Sequence, residues 1–175
     1  MGGLAENVAV FDERVEKWLE PRRSEALDRV MYGLSSAADH GLLWLGIATL
    51  RTARTRDLRW GGRFVAALAG ESLVTNLVKM LFRRVRPPDH FSNDEPLPYG
   101  MRRPITSSFP SGHAVTAFTA AAIMSRDRRM GPVYYSLAAT IAASRVYTRI
   151  HHASDGIGGV VLGVALGRVA RRLVR

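Results

Sequence analysis

The sequence of 175 residues contains no cysteine and only two lysines, Lys17 and Lys79, among its 25 basic residues. The absence of cysteine excludes disulfide bonds and thiolate metal sites, and it leaves the redox compartment undetermined. The sequence shows no internal repeat, no low-complexity segment and no cleavable signal peptide, since its first thirty residues are charged throughout. From the length we expect a single domain, residues 1–175.

Positive charge exceeds negative charge by a wide margin. Twenty-five basic and 15 acidic residues give a net charge of +10 and a pI of about 11.1. Such a charge suits a nucleic acid or an anionic membrane surface. Because the basic residues form short clusters between apolar segments, a nucleic-acid partner is not expected. The mean hydropathy of −0.02 averages very apolar segments with charged connectors.

The first 31 residues predict an amphipathic helix. Apolar residues recur at steps of three and four from Leu4 to Trp18, with charged residues between them. We expect the helix to break near Pro21 and to resume through Val30. It is too polar to cross a bilayer, so it should lie in the membrane interface or pack on the protein's own surface.

Five apolar segments follow, and they predict an all-α membrane bundle of about five transmembrane helices within residues 32–175. The expected spans are 32–50, 64–82, 111–125, 132–149 and 155–172. The first two contain polar residues that must face the bundle or lie near a helix end. These residues are Asp39, His40, Glu71, Asn76 and Lys79. Glycines near every fourth position of the last span predict close helix packing.

The arginines predict an orientation in the cell membrane. Twelve of them lie on the side of connectors 51–63 and 126–131 and of the last residues, against only two acids, Asp57 and Asp127. By the positive-inside rule this side is cytoplasmic. The opposite side, which carries the long loop 83–109, should then face outward.

Three motifs fall on this outward side, and the first is a pair of cations. Lys79 and Arg86 are seven residues apart, two helical turns, and Pro87 follows as a helix stop. Arginine can bind phosphate oxygens through two N–H groups and lysine supplies a point charge, so the pair indicates an anion pocket. Basic residues also flank many spans as interface anchors, and the pair alone fits both interpretations.

The second motif is the sequence PSGH, Pro110 to His113, at the start of the third span. A helix N-terminus offers free N–H groups, and Gly112 allows the backbone to approach an anion. His113 adds a titratable group beside it. Taken alone, the motif also fits an ordinary helix start capped by Ser111.

The third motif is SRVYTRIHHASD, Ser144 to Asp155, between the last two spans. His151 and Asp155 are four apart, so at a helix end both would lie on one face within hydrogen-bond reach. A carboxylate that fixes one imidazole nitrogen leaves the other free to attack or to accept a proton. The alternative is a charged turn between two helices.

The three motifs together supply three cations, two histidines, a carboxylate and a helix N-terminus. This set suits phosphoryl transfer without a metal or another cofactor. The cations neutralise the phosphoryl oxygens, one histidine attacks phosphorus, and the other protonates the leaving oxygen.

The ordered pattern K-x6-RP, PSGH and SR-x5-H-x3-D resembles the type 2 phosphatidic acid phosphatase (PAP2) superfamily. The resemblance implies that His151 is the nucleophile and forms a phosphohistidine, that Asp155 orients it, and that His113 is the general acid and then the base. It implies a phosphate site made of Lys79, Arg86, Ser111, Gly112 and Arg145, with no metal. Further basic residues are candidates for contacts to a larger headgroup: Arg83, Arg84, His90, Arg102 and Arg103. The usual form has six spans, and the amphipathic segment stands here in place of the first.

The apolar spans argue against the soluble haloperoxidase branch and for a lipid phosphate that enters from the bilayer. The small size, the arginine content and the run RRPITSSFPSGHA resemble actinobacterial phosphatases of decaprenylphosphoryl-5-phosphoribose in cell-wall arabinan synthesis. The alternatives are a polyprenyl diphosphate, phosphatidylglycerophosphate or phosphatidate phosphatase. Outside enzymes, the alternative is a membrane scaffold or lipid-binding protein. The sequence does not define an oligomeric state.

Overall fold

The computed structural model describes residues 2–87, 105–126 and 129–174. Within these ranges the chain is helical and contains no strand, which confirms the all-α prediction. The helices are α1 (Gly2–Leu19), α2 (Glu25–Ala37), α3 (Leu42–Thr55), α4 (Leu58–Leu81), α5 (Gly112–Met124), α6 (Gly131–Tyr147) and α7 (Ala153–Leu173). Short 3-10 turns at Glu20–Arg22 and Asp39–Gly41 join α1 to α2 and α2 to α3.

The N-terminal segment breaks beside Pro21, as the sequence predicts. A new helix starts after Ser24, whose hydroxyl accepts a hydrogen bond from the N–H of Leu27 at 3.3 Å. Apolar side chains of α1 such as Leu4 and Trp18 are exposed, while Asp12 on the same helix is buried against the rest of the protein. An interfacial position of residues 1–31 stays a prediction.

The expected first span, 32–50, is not one continuous helix. α2 extends to Ala37, and α3 begins only at Leu42. Between them His40 and Gly41 adopt positive φ angles of 54° and 73°, a conformation that glycine adopts without strain. The prediction of a single helix is wrong here because apolar content alone does not register a local break in the backbone.

The connector expected at 51–63 is also much shorter than its polar sequence suggests. α3 continues to Thr55 and α4 begins at Leu58, where Asp57 accepts the N–H of Trp60 at 3.0 Å and caps the helix. Arg51 lies over the ring of Trp60, 3.6 Å from its centroid. Arginine has a high helix propensity, so an arginine-rich sequence can continue a helix instead of forming a loop.

α5 is the central helix and packs closely against α7. A Cβ atom on Gly159 would lie 2.7 Å from the carbonyl oxygen of Ser111, and one on Gly163 would lie 2.6 Å from that of Val115. These distances leave no room for a side chain, so the predicted close packing of the last helix is confirmed. The contact fixes the start of α7 beside the start of α5.

Among the described residues, two helices are long and apolar enough to cross a membrane: α4 and α7. α5 is apolar but shorter, at 13 residues. The expected total of five spans therefore stays a prediction. The end of α4 and the starts of α5 and α7 lie together, as expected, since Lys79, Gly112 and His151 line the same cavity.

Candidate active site

A cavity of about 860 Å3 lies where the three sequence motifs meet. Each motif contributes two residues to the cavity wall: Lys79, Arg86, Gly112, His113, Arg145 and His151. The turn Asp39–Gly41 closes the same end of the cavity. Segments far apart in the sequence thus form one strongly cationic surface that also carries two histidines.

His151 is the most buried imidazole of this surface, with its side chain 3% exposed. It lies in the turn before α7 rather than on a helix, so the expected shared helical face is wrong. Its Nδ1 is 3.7 Å from Oδ2 of Asp155, which is close enough for electrostatic attraction but longer than a hydrogen bond. Its Nε2 lies 3.3 Å from a guanidinium nitrogen of Arg86 and is the ring nitrogen on the cationic side.

Asp155 is completely buried and is held from two directions. Oδ2 accepts the backbone N–H of His152 at 2.8 Å, which caps α7, and Oδ1 accepts Nη1 of Arg84 at 2.7 Å. An aspartate in the first turn also complements the positive end of the helix dipole. These contacts keep Asp155 beside His151.

The environment of His151 favours its neutral form. Burial lowers the pKa of His151 to about 3, and the charges of Arg86 and Arg145 act in the same direction, while Asp155 acts against them. At neutral pH the imidazole therefore carries a lone pair available for attack and needs no prior deprotonation.

The second histidine has a different carboxylate partner. His113, in the first turn of α5, has its Nε2 2.7 Å from Oδ1 of Asp39. Nη1 of Arg145 lies 3.8 Å from the same oxygen. Burial raises the pKa of Asp39, but the hydrogen bond with His113 and the charges of His113 and Arg145 outweigh it, so that the pKa is lowered overall. Asp39 is therefore ionised at neutral pH.

Lys79 and Arg86 reach the cavity from different local structures. α4 ends at Leu81, so the expected two-turn helical spacing between them is wrong. Arg86 instead follows an extended stretch, and its guanidinium donates to the carbonyl oxygens of Ile150 at 2.8 Å and Thr106 at 3.1 Å. Lys79 donates to the carbonyl oxygen of Ser107 at 3.2 Å. These carbonyl contacts hold both cations at the cavity wall.

Arg145 lines the cavity, Ser111 directly precedes the lining residue Gly112, and both are almost entirely buried. Nη1 of Arg145 donates to the hydroxyl of Ser35. Nε of Arg145 and the hydroxyl of Ser111 have no hydrogen-bond partner among the described residues. Buried polar groups normally have partners, so these two donors suit an anion bound in the cavity.

Further along α4 the wall changes character in two steps. A polar tier comes first, made of Glu71, Ser72, Thr75, Asn76 and Thr116. Glu71 is buried and accepts hydrogen bonds from Thr75 at 2.7 Å and Thr116 at 2.9 Å. An apolar tier follows, made of Leu45, Val65, Leu68 and Ala69. The cavity thus runs from cations through hydroxyl and carboxyl groups to hydrocarbon.

The residues suggested for contacts to a larger headgroup lie in different environments. Arg84 is engaged by carboxylates, and Arg83 is exposed beside a second cavity of about 600 Å3. His90, Arg102 and Arg103 lie outside the described residues. A headgroup contact by any of these five residues stays a prediction.

Sequence reasoning did not identify Asp39 and Asp12 as parts of the site. Asp39 carried a signal, because an acidic residue inside an apolar segment needs a partner. Asp12 carried none, since it is one of several acids on a polar helix face. Within the described ranges, no group of three or more His, Asp or Glu side chains is placed to hold a metal ion.

Comparison with known proteins places these motifs in a family context. A family model described as the PAP2 superfamily matches residues 60–175. The decaprenylphosphoryl-5-phosphoribose phosphatase of Mycobacterium tuberculosis is 33% identical over 143 residues, which cover 78% of this chain and 75% of that protein. The lipid A 1-phosphatase of Porphyromonas gingivalis is 30% identical over 122 residues, 65% of this chain and 24% of that protein.

Two solved structures share the fold. One is a transmembrane PAP2 type phosphatidylglycerolphosphate phosphatase from Bacillus subtilis, with a TM-score of 0.75, 24% identity and coverage of 95% of this chain and 85% of that chain. The other is LpxE of Aquifex aeolicus, with a TM-score of 0.71, 20% identity and coverage of 91% and 93%. At these identities the likeness concerns the fold alone.

Proposed function

The chain belongs to the PAP2 superfamily, and from this premise we propose that it hydrolyses a phosphate monoester carried by a membrane lipid. One observation supports this proposal above all others. The cavity joins a cationic end with two histidines to an apolar end between helices. A lipid phosphate has the same two ends, and a soluble phosphate ester lacks one of them.

The first part of the mechanism is binding of the phosphate. Lys79, Arg86 and Arg145 neutralise its oxygens, and the Ser111 hydroxyl and the Gly112 N–H donate to it. Preorganised donors of this kind are most effective on charge that develops in the transition state. The geometry supports this assignment, because the Ser111 hydroxyl and Nε of Arg145 are buried and have no hydrogen-bond partner among the described residues.

The second part is transfer to the enzyme. Nε2 of His151 attacks phosphorus, the N–P bond forms, and the P–O bond to the lipid breaks. The leaving oxygen takes a proton from His113, while Asp155 stabilises the positive charge that develops on His151. The nearby Arg86 favours this use of Nε2, since it would hold the phosphoryl oxygens against that nitrogen.

The third part is hydrolysis of the phosphohistidine. His113 takes a proton from water, the water oxygen forms a new bond to phosphorus, and the N–P bond breaks. His151 returns to its neutral form and orthophosphate is released. The carboxylate of Asp39, 2.7 Å from His113 Nε2, stabilises His113 when it carries the extra proton.

For the substrate we propose decaprenylphosphoryl-5-phosphoribose, with decaprenylphosphoryl ribose as product. The Mycobacterium tuberculosis relative carries this substrate in its name. The polar tier also supports it, because Glu71, Ser72 and Asn76 offer hydrogen-bonding groups to sugar hydroxyls between the phosphate end and the apolar end. A polyprenyl diphosphate has no sugar at that depth.

A panel of purified lipid phosphates tests the function. Phosphate release is measured for the prenyl phosphoribose, a prenyl diphosphate, phosphatidylglycerophosphate and phosphatidate, with wild type and His151→Ala. We expect release by the wild type, fastest from the phosphoribose, and none by the variant. Equal release by both proteins, or none by either, would refute the mechanism. A preference for the diphosphate would refute the substrate assignment alone.

The outward orientation of the site also has a direct test, because the chain has no cysteine of its own. Ile105→Cys places a thiol on a fully exposed residue at the site end, and Arg54→Cys places one at the other end of the bundle. In intact cells a membrane-impermeant maleimide should label the first variant only. Labelling of Arg54→Cys alone would reverse the orientation.

A further inference from the structure

The N-terminal helix α1 contributes a buried carboxylate that reaches the nucleophile through other side chains. Asp12 is 8% exposed, although it lies on an otherwise solvent-facing helix. It also lies outside residues 60–175, the range that the family model matches. A buried aspartate is costly unless it is paired, so its contacts require an explanation.

Five hydrogen bonds link Asp12, Arg84 and the start of α7. Its Oδ1 accepts the backbone N–H of Ser154 at 2.8 Å, and its Oδ2 accepts the Ser154 hydroxyl at 2.7 Å and Nη2 of Arg84 at 2.6 Å. Nη1 of Arg84 donates to Ser154 at 2.7 Å and to Oδ1 of Asp155 at 2.7 Å. The guanidinium therefore bridges two carboxylates, each on a different nitrogen.

We propose that Asp12 is a positioning residue for the nucleophile and acts through Arg84 and Asp155 on His151. This inference rests on the proposed function for its kinetic consequence and on geometry alone for its structural one. Arg84 fixes the carboxylate of Asp155, and Asp12 fixes Arg84 and balances its charge. Without Asp12 the positive charge of Arg84 would be balanced by Asp155 instead. The attraction between the Asp155 carboxylate and His151 would then be weaker.

Alternatives to this role are weaker on the structure. A simple anchor for α1 would need only the two bonds to Ser154, and α1 is already held by ion pairs such as that between Glu16 and Arg149 at 3.4 Å. The contact between Asp12 and Arg84 is the shortest of the five, and Arg84 in turn donates to the buried Asp155. Short charge-assisted hydrogen bonds of this kind are stronger than neutral ones and limit side-chain movement.

Asp12→Asn compared with Glu13→Gln gives a matched test on the intact protein in detergent. Both changes remove one carboxylate from α1, and Glu13 is exposed and pairs with Lys17, one helical turn along α1, at 2.6 Å. For phosphate release from the best substrate of the panel, we expect kcat of Asp12→Asn to fall by about 10–100-fold, by analogy with the carboxylates that orient metal-binding histidines. KM should stay within about two-fold, and Glu13→Gln should match wild type.

Arg84→Lys separates positioning from anchoring, because it leaves both bonds between Asp12 and Ser154 in place. A lysine keeps the charge but cannot bridge two carboxylates through separate nitrogens of a rigid fork. We expect a loss of kcat similar to that of Asp12→Asn, and a double variant that loses little more than either single one. Full activity of Arg84→Lys would overturn the proposal even if Asp12→Asn failed to fold.

Ring nitrogen NMR of histidine-labelled protein gives a readout that does not depend on turnover. The signals of His151 are assigned by their loss in His151→Gln. They should shift in Asp12→Asn and in Arg84→Lys but not in Glu13→Gln. Unchanged His151 signals in a folded Asp12→Asn would refute positioning, whereas shifted signals in a protein that releases no phosphate would refute the proposed function alone.

Discussion

The two histidines of the cavity have the same kind of partner but very different surroundings. His151 and Asp155 are 3% and 0% exposed, and Asp155 is fixed by a helix cap and by Arg84. His113 and Asp39 are 18% and 36% exposed, and Asp39 lies in a turn between helices. A nucleophile must approach phosphorus from one direction. A general acid and base must instead donate a proton to the leaving lipid oxygen and later accept one from the hydrolytic water. The rigid pair suits the first task and the open pair suits the second.

The largest effect should come from removing the histidines themselves. His151→Gln and His113→Gln should each lower the release of lipid phosphate by at least about 10³-fold, since in the proposed mechanism His151 is the nucleophile and His113 is the acid and base. With p-nitrophenyl phosphate, whose leaving group needs little protonation, they should differ. His113→Gln should release one equivalent of p-nitrophenol in a burst and then stop, and His151→Gln should release none. A burst from His151→Gln would exchange the two roles.

The next largest effects should come from the carboxylate partners of the two histidines, and the two losses of kcat should differ. Asp155→Asn should lower kcat by about 10²–10⁴-fold, comparable with loss of the aspartate in a catalytic triad. Asp39→Asn should lower it only about 10-fold, because an exposed partner is partly replaced by water. Steady-state kinetics on one lipid substrate measures both values. If the loss in Asp39→Asn equalled or exceeded that in Asp155→Asn, the distinction between a rigid and an open pair would be wrong.

The packing of α5 on α7 holds the two pairs at a fixed separation. Gly163→Ala would place a Cβ atom 2.6 Å from the Val115 carbonyl oxygen, which requires the helices to move apart. We expect a loss of about 1–3 kcal/mol in the free energy of unfolding, seen as a lower melting temperature in detergent. Gly70→Ala, with no atom within 4 Å of the new Cβ, is the control and should be neutral or stabilising. Equal melting temperatures for the two variants would show that the contact can relax.

The last prediction concerns the pH dependence of stability. The pKa of His151 is about 3 in the folded protein against 6.5 for an ordinary histidine. Between these values the unfolded chain binds a proton that the folded chain does not, so stability is lost as pH falls from 6.5 towards 3. The melting temperature of His151→Gln should decline less over this range than that of wild type. Parallel curves would mean that His151 is not buried in its neutral form.

The sequence predicted which residues form the site better than it predicted the contacts between them. Membership of the PAP2 superfamily is confirmed, because it depends on residue types at fixed spacings. The three motifs also meet at one cavity, as expected from helices that alternate in direction. The roles of individual residues stay predictions. The helical reasons given for the Lys79–Arg86 and His151–Asp155 spacings were wrong, since neither pair shares a helix.

The parts that the sequence could not supply are contacts across long separations. The partner of His113 is 74 residues away and that of Arg84 is 72 residues away. Periodicity and spacing describe neighbours on one helix and carry no information about such pairs. The break at His40 and Gly41 was missed for a related reason, because an apolar stretch keeps its composition whether or not the backbone turns within it.

The distribution of the site along the chain also sets when it can form during synthesis. Asp12 and Asp39 emerge early, Lys79 and His113 follow, and His151 and Asp155 come near the end. The N–H of Ser111, before α5, donates to the main-chain oxygen of Asp155 at 3.0 Å, so the position of Asp155 depends on the packing of α7 against α5. A chain interrupted before that point lacks the fixed positions of His151 and Asp155 that the proposed mechanism requires. On the proposed mechanism, activity therefore requires the completed bundle, and we expect a partly inserted chain to leave lipid phosphates intact.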